Sequence, residues 1–262
     1  MTLLKSALLT ISMYSKIPVK QISWNESYMK YALCFLPLIG IVIGGLEIGW
    51  FFLADTLGLS VLLFSVIASI IPTLVTGGIH LDGLMDTHDA LASLGDKEKR
   101  QAILKDPHSG AFAVIHCCLY FLVLLGCFAH LYENGSWVDI LIISVGYIIS
   151  RAICAMCIVF FPCAKESGLA YMFKSGLNKT AVTLTQCILI AIILVFMIIA
   201  SPISTSIALL GILLILLHFR FVVNKKFSGI SGDLAGYILI RTELVIAISV
   251  VIGLILKEVF IV

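Results

Sequence analysis

The feature that most limits what this chain can fold into is the length of its apolar blocks. Hydrophobic residues make up 61% of the 262 residues and occur in long runs. A run of about 20 apolar residues crosses the hydrocarbon core of a bilayer as a helix. Seven segments have this character, at about 31–54, 57–76, 111–131, 137–161, 181–200, 203–223 and 234–256. We therefore expect an integral membrane protein with about seven transmembrane helices.

An all-α fold follows, because a helix satisfies all of its backbone polar groups within one membrane segment. Charged residues make up only 12% of the chain, against about 25% in soluble domains. We see no repeat and no separate soluble domain, and we interpret residues 1–262 as one membrane domain. Residues 1–20 show no small-residue cleavage site, so we expect them to be retained along the membrane interface.

Basic residues occur in every second loop between these segments and are absent from the loops in between. Lysines precede the first segment, and further Lys and Arg residues lie in or beside the loops 77–110, 162–180 and 224–233. The remaining connections contain neither residue, namely 55–60, 132–136 and 201–202. By the positive-inside rule this pattern predicts a multi-pass plasma-membrane protein whose N-terminus is cytoplasmic and whose C-terminus is outside. The net charge of +2 is too small to indicate a nucleic-acid partner.

The most acidic stretch is GIHLDGLMDTHD, at residues 78–89 on the predicted cytoplasmic side. Its carboxylates Asp82, Asp86 and Asp89 have the spacing i, i+4, i+7, which places them on one face of a helix. Three like charges in a row repel one another unless a cation lies between them. Oxygen ligands favour Mg²⁺ or Mn²⁺ over zinc, and the alternative is an acidic helix that simply faces water. His80 and His88 could be ligands, but we expect them to hydrogen-bond to the ligands or to a substrate.

Cations on the same side of the membrane suit a phosphate-bearing substrate. Mg²⁺ held by a few carboxylates usually keeps coordination positions open for phosphate oxygens. Arg100 and Lys105 follow the acidic stretch, and Lys165 lies in another cytoplasmic loop. Each of them taken alone is better explained as a determinant of topology.

Two arginines, Arg151 and Arg241, lie inside predicted spans. A charge at such a position is costly and usually marks either a functional residue or one member of an ion pair. We expect Glu243, two residues further along the same span, to be the partner of Arg241. Glu47 in the first span remains unassigned.

Several motifs together resemble the cobalamin synthase family, the adenosylcobinamide-GDP ribazoletransferases. The similarity extends along most of the chain, and its central motif is GGIHLDGLMDTHD at 77–89. The other matching stretches are KIPV at 16–19, FLPLIG at 35–40, KDPHSG at 105–110, SR at 150–151, AKESGL at 164–169, SGDLAG at 231–236 and the single residue Glu243.

The resemblance implies a reaction and a set of site residues. The substrates would be adenosylcobinamide-GDP and α-ribazole or its 5′-phosphate, and the products adenosylcobalamin or its phosphate together with GMP, with Mg²⁺ required and Mn²⁺ as a substitute. Asp82, Asp86 and Asp89 would bind the metal and act in catalysis together with His80, one aspartate serving as the base. The other implied roles are metal binding by Asp106, substrate binding by Arg100, Lys105, Arg151 and Lys165, and a ribose or metal contact by Asp233.

Two other functions compete with this interpretation. A membrane phosphotransferase of the CDP-alcohol phosphatidyltransferase type also uses an aspartate-rich helix, but its motif expects Ala-Arg soon after the first Asp-Gly, where this chain has Leu84-Met85-Asp86. A divalent-cation or corrinoid transporter should carry its carboxylates near mid-membrane, whereas the acidic stretch here lies at one surface. Contact with membrane lipid is expected, and the sequence leaves open whether the chain forms a homo-oligomer.

Overall fold

The computed structural model describes residues 2–20, 22, 25–164 and 169–260, and in these ranges the fold is all-α, as predicted. Short 3-10 and π turns at Leu33–Phe35 and Val222–Lys226 connect some of the helices. The α-helices are α1 Thr2–Tyr14, α2 Glu26–Ala32, α3 Pro37–Thr56, α4 Val61–Thr76, α5 Ile79–Ala92, α6 Lys97–Ile103, α7 Ala111–Asn134, α8 Trp137–Phe160, α9 Leu169–Gly176, α10 Lys179–Ala200, α11 Pro202–Phe221 and α12 Gly232–Phe260.

Six stretches of helix in the described ranges are long and apolar enough to cross a membrane. Five of them match predicted spans closely, and the sixth joins α2 to α3 across the break before Pro37. The outward faces of these helices are apolar, as on α10, where Ile192 and Ile199 are largely exposed. Such faces suit contact with lipid, and the multi-pass membrane architecture is therefore confirmed.

The short second span, predicted at 57–76, contains α4, and a sharp bend separates it from α5. α4 has 16 residues, and α5 leaves it at an angle of 94°. Gly77 and Gly78 form the corner with φ values of 65° and 80°, a left-handed conformation that glycine adopts without steric cost. By length and composition the two helices pass as a membrane crossing only together, and a seventh passage follows if this bent pair is counted as one span.

The acidic helix α5 lies at the end of the bundle. It packs across the first turns of α12, where Gly83 meets the backbone of Asp233. α12 has 29 residues, about 43 Å of helix, and this exceeds the hydrocarbon thickness of about 30 Å. The first turns of α12, and α5 with them, can therefore lie outside the hydrocarbon, where carboxylates remain in contact with water.

The centre of the bundle is α8, which is buried along most of its length against α3, α10 and α12. Its Arg151 donates through Nη1 to Glu243 Oε1 of α12 at 2.5 Å, and both side chains are 1% exposed. The predicted pairing of Glu243 with Arg241 is therefore wrong. Residues 241 and 243 of one helix point about 200° apart, so an acid that faces α8 cannot also face Arg241.

The buried ion pair continues into a polar cluster between α3, α8 and α12. Ser150 Oγ lies 3.3 Å from Glu243 Oε1, and Arg151 Nη1 also donates to the carbonyl of Tyr147 at 2.9 Å. On the other side, Tyr147 Oη donates to Glu47 Oε1 at 3.5 Å. Glu47, which the sequence left unassigned, is thus a buried partner of α8.

This geometry predicts that Arg151 contributes mainly to stability. Arg151→Met leaves Glu243 buried without its partner, and breaking a buried pair in this way costs about 3–5 kcal/mol. We expect the apparent midpoint of thermal unfolding in detergent to fall by on the order of 10 °C. The double variant Arg151→Met/Glu243→Met should regain most of the loss, because an apolar pair replaces an ion pair well.

The matched control is Arg220→Met, which removes an exposed arginine at the end of α11 and should leave the midpoint nearly unchanged. A single Arg151 variant as stable as the unmodified protein would contradict the structural role. So would a double variant that is no more stable than the single one.

Candidate active site

A cavity of ≈ 360 Å³ lies where several helix ends converge on one side of the bundle. The ends of α1 and α6, the starts of α3 and α5, the last turns of α8 and the segment 227–236 form its wall. Four residues implied by the resemblance line it, namely His80, Asp82, Lys105 and Asp233. The structure thus brings together residues that lie up to about 150 positions apart in the chain.

The position of Asp82 beside Asp233 depends on a close helix crossing. A Cβ atom added to Gly83 would lie 2.6 Å from the carbonyl oxygen of Asp233, and one added to Gly236 would lie 3.0 Å from the carbonyl oxygen of His80. Each glycine therefore lets the backbone of α5 or α12 touch the other helix. The carboxylates at 82 and 233 reach the same cavity as a result of this contact.

The three aspartates that were predicted to share one helix face all lie on α5. Burial, together with repulsion from neighbouring carboxylates, raises the pKa of Asp86 to about 7. The neighbours responsible are Asp82, Asp233 and Asp89. A cation among these groups would relieve the repulsion.

Asp89 has a further role that the spacing did not show. Its Oδ2 accepts from the backbone N–H of Gly110 at 2.5 Å, and its Oδ1 accepts from that of Ala113 at 2.9 Å. These are the unpaired N–H groups at the start of α7, and a carboxylate there is favoured by the helix dipole. Asp89 therefore links α5 to α7, and the cavity lies at the opposite end of the acidic face, at Asp82.

The carboxylates fit Mg²⁺ as part of a site that the substrate completes. No group of three or more His, Cys, Asp or Glu side chains converges as a ready metal site among the described residues. Mg²⁺ is commonly held by one or two carboxylates plus substrate phosphates and water. Asp82 and Asp233 at the cavity and Asp86 beside them have the oxygen ligands and the unrelieved repulsion that suit such an ion.

The loop after α6 runs from the cavity to the start of α7. Lys105 lines the cavity, while Asp106 faces solvent and its Oδ1 lies 2.8 Å from Nδ1 of His108. Hydrogen bonds from the backbone and ring of His108 lower the pKa of Asp106. The structure therefore gives Asp106 a local partner and does not place it among the cavity residues.

His80 is the most enclosed of the four cavity residues. It is 4% exposed, its ring stacks at 6.0 Å on that of Tyr14, and its Nε2 has no hydrogen-bond partner in the described structure. Burial, with the nearby charge of Arg151, lowers the pKa of His80 to about 3. A neutral imidazole with one unpaired nitrogen at a cavity is suited to bind a polar substrate group.

The remaining implied residues lie elsewhere. Arg100 donates to the carbonyl oxygen of Ser93 at 3.2 Å and so braces α6 against the end of α5. Arg151 is buried in its ion pair with Glu243 and does not line the cavity. Lys165 falls outside the described residues.

The part of the cavity wall that precedes position 165 is nevertheless described. Ala164 lines the cavity, and its N–H donates to the carbonyl of Ile230 at 3.0 Å. Ile230 N–H in turn donates to the carbonyl of Pro162 at 2.7 Å. These two bonds join the loop after α8 to the segment before α12.

Sequence reasoning missed the contributions of Tyr14, Gln101 and Tyr171 to the cavity wall. No spacing pattern marked them, because they lie on three short helices whose approach to the cavity depends on tertiary packing. The only indication in the sequence was that they lie close to the motifs at 16–19, 105–110 and 164–169.

Comparison with known proteins gives a consistent result. An adenosylcobinamide-GDP ribazoletransferase from Lachnoclostridium phytofermentans is 42% identical over 250 residues, covering 95% of this chain and 94% of that protein. Proteins of the same name are 36% identical in Clostridium perfringens, covering 91% of this chain and 94% of that protein, and 31% identical in Geobacillus sp., covering 87% and 88%. No solved structure matches. Residues 6–251 match the family described as cobalamin-5-phosphate synthase, and this chain belongs to that family.

Proposed function

We propose that this chain is an adenosylcobinamide-GDP ribazoletransferase, which joins adenosylcobinamide-GDP to α-ribazole or its 5′-phosphate in cobalamin biosynthesis. The observation that carries the proposal is the similarity to transferases of that name over 95% of the chain. The cavity that joins two carboxylates, a lysine and a neutral imidazole at one membrane surface supports it. The same family membership argues against a CDP-alcohol phosphatidyltransferase and against a transporter.

The reaction is a substitution at phosphorus. A hydroxyl oxygen of the riboside forms a bond to the phosphorus that carries cobinamide, the bond from that phosphorus to the GMP phosphate breaks, and GMP leaves. The hydroxyl proton passes to a base, for which Asp82 and Asp233 at the cavity are the candidates. Because catalysis of phosphoryl transfer rests largely on positioning and charge, the rigid crossing of α5 and α12 is well suited to it.

The cavity residues have separate tasks in this proposal. Lys105 places a positive charge on the diphosphate, as lysine does in many phosphate sites. His80 offers its unpaired Nε2 to a polar group of the substrate. Tyr14, which stacks on His80, holds the imidazole in place.

Mg²⁺, with Mn²⁺ as a substitute, is the cofactor we propose. Asp82, Asp86 and Asp233 would hold it, whereas Asp89 is engaged by the start of α7 and Asp106 by His108. When bound, the metal would neutralise charge on the phosphate oxygens and on the leaving GMP.

The test of the proposed function is release of GMP from adenosylcobinamide-GDP by membranes that contain this chain. We expect release to depend on added α-ribazole, to stop with EDTA and to return with Mg²⁺ or Mn²⁺, since the ligands are carboxylate oxygens. Asp82→Asn should lower the rate on the order of 100-fold or more, the loss typical of a group that stabilises charge in a transition state. Recovery with Zn²⁺ alone would point to histidine ligands.

The matched control is Asp96→Asn. Asp96 caps α6 by accepting from the N–H of Lys99 at 2.9 Å, and asparagine caps a helix equally well. This variant should therefore keep nearly full activity. The assignment of the acidic face would fail if the loss were as large at position 96 as at position 82.

We also propose that the protein lies in the plasma membrane with the cavity facing the cytoplasm. Lysines and arginines are concentrated on the cavity side, in the loop containing Lys105 and beside the end of α11. α1 contributes Tyr14 to the cavity, whereas Phe260 ends α12 after a helix long enough to cross the membrane.

Reporter fusions test this orientation. A fluorescent protein fused to the N-terminus should be bright, and alkaline phosphatase fused after Val262 should be active, because the two ends lie on opposite sides. An inactive phosphatase at the C-terminal end would mean that α4 and α5 enter and leave on the same side.

A further inference from the structure

Among the residues that the structure describes, Arg241 in the membrane helix α12 has no hydrogen-bond or ion-pair partner. It lies on α12 with its guanidinium 5.8 Å from the ring centre of Tyr237, and it makes no hydrogen bond or ion pair with any residue in the described ranges. An unpaired arginine in such a helix is costly and calls for an anion. Because Glu243 belongs to Arg151, an anion bound at Arg241 would come from outside the described residues.

One histidine, His88, lies near this arginine, and two further histidines lie near His88. The rings of His88 on α5 and His116 on α7 stack at 3.4 Å with an angle of 10°, and His88 lies 5.4 Å from Tyr237. His88 also lies in the electrostatic range of Arg241 and of His218 on α11. We refer to Arg241, His88, His116 and His218 as the Arg241 cluster.

The cluster is separate from the cavity, since none of its four residues lines it. One carboxylate, Asp89, also lies in electrostatic range of His88. Asp89 already accepts from the backbone N–H groups of Gly110 and Ala113. The positive charge of Arg241 therefore remains available to an external anion.

The depth of the cluster fits the headgroup layer of a bilayer. Arg241 lies about 13 Å along α12 from Gly232, and α12 is about 13 Å longer than the hydrocarbon core is thick. Even where part of this excess extends from the other end, the long arginine side chain can reach the headgroups. His116 lies in the second turn of α7, and His218 in the last turn of α11. All three helices thus place these side chains near the boundary between headgroups and acyl chains.

An apolar strip extends from Arg241 toward the middle of the membrane. Ile248, Ile252 and Ile255 follow at i+7, i+11 and i+14, which is the same face of the helix. They are 38%, 40% and 40% exposed. α12 packs against α7 and α11, so this face is flanked by two further apolar helices.

We propose that an anionic phospholipid binds here, with its phosphate at the Arg241 cluster and an acyl chain along Ile248, Ile252 and Ile255. A cationic group at headgroup depth above an apolar strip of one helix face complements both parts of such a lipid. Basic pockets between transmembrane helices recognise anionic headgroups in this way. The site would anchor α12, and through it the α5 crossing that forms the cavity.

The test is a titration of purified full-length protein in detergent with phosphatidylglycerol, followed by native mass spectrometry to count bound lipid. Arg241→Gln should weaken binding about five-fold, the effect of one basic residue at a membrane surface. The matched control Arg220→Gln removes an exposed arginine in the last turn of α11, off the apolar strip of α12, and should weaken binding less than Arg241→Gln does. Circular dichroism should show equal helix content in all three proteins.

Two further ligands distinguish binding of an anionic lipid from binding of a free phosphate and from binding of any phospholipid. Glycerol 1-phosphate should fail to displace the lipid, because it lacks the acyl chain, and phosphatidylcholine should bind equally to the unmodified and Arg241→Gln proteins. The proposal is overturned if Arg241→Gln binds phosphatidylglycerol as tightly as the unmodified protein. It is also overturned if glycerol 1-phosphate displaces the lipid, which would indicate a site for free anions. A third contradicting result is that Arg241→Gln weakens phosphatidylcholine binding as much as phosphatidylglycerol binding.

Discussion

The contact on which the site depends is the backbone crossing of α5 and α12. Gly83 and Gly236 let the two helices approach until the position of a Cβ atom at residue 83 falls 2.6 Å from a carbonyl oxygen. No side chain separates them at that point, so the carboxylates of the adjacent residues Asp82 and Asp233 reach one cavity. Any larger residue at the crossing must move one helix and thus one carboxylate.

The crossing is possible because α4 ends early. An apolar helix that continued straight from α4 would carry the acidic residues along the membrane normal, whereas the Gly77-Gly78 corner turns α5 by 94° across the end of the bundle. The carboxylates therefore stay near water and the phosphate-bearing substrates. The charges that do lie deep, Arg151 and Glu243, are paired with each other and hold α8 to α12, and they need no substrate to be stable.

The sequence predicted those parts of the structure that follow from local pattern. Apolar run length gave the spans, and the spacing of Asp82, Asp86 and Asp89 gave a helical acidic face, because both depend on residues close in the chain. The partner of Glu243 could not be found in this way: Arg241 is near in sequence, but the orientation of α12 turns Glu243 toward α8 and Arg151. The link from Asp89 to the start of α7 was missed for the same reason, and Tyr14 reaches the cavity only through tertiary packing.

The claim that a close crossing of α5 and α12 creates the active site is tested most directly by Gly83→Ala, compared with Gly126→Ala in α7, where an added Cβ meets nothing within 4 Å. The rate of GMP release is measured per amount of helical protein in the membrane. A displacement of about 1 Å at a catalytic group can cost about 100-fold, so Gly83→Ala should lose activity by that order while Gly126→Ala keeps it. A Gly83→Ala protein with the unmodified rate would contradict the account.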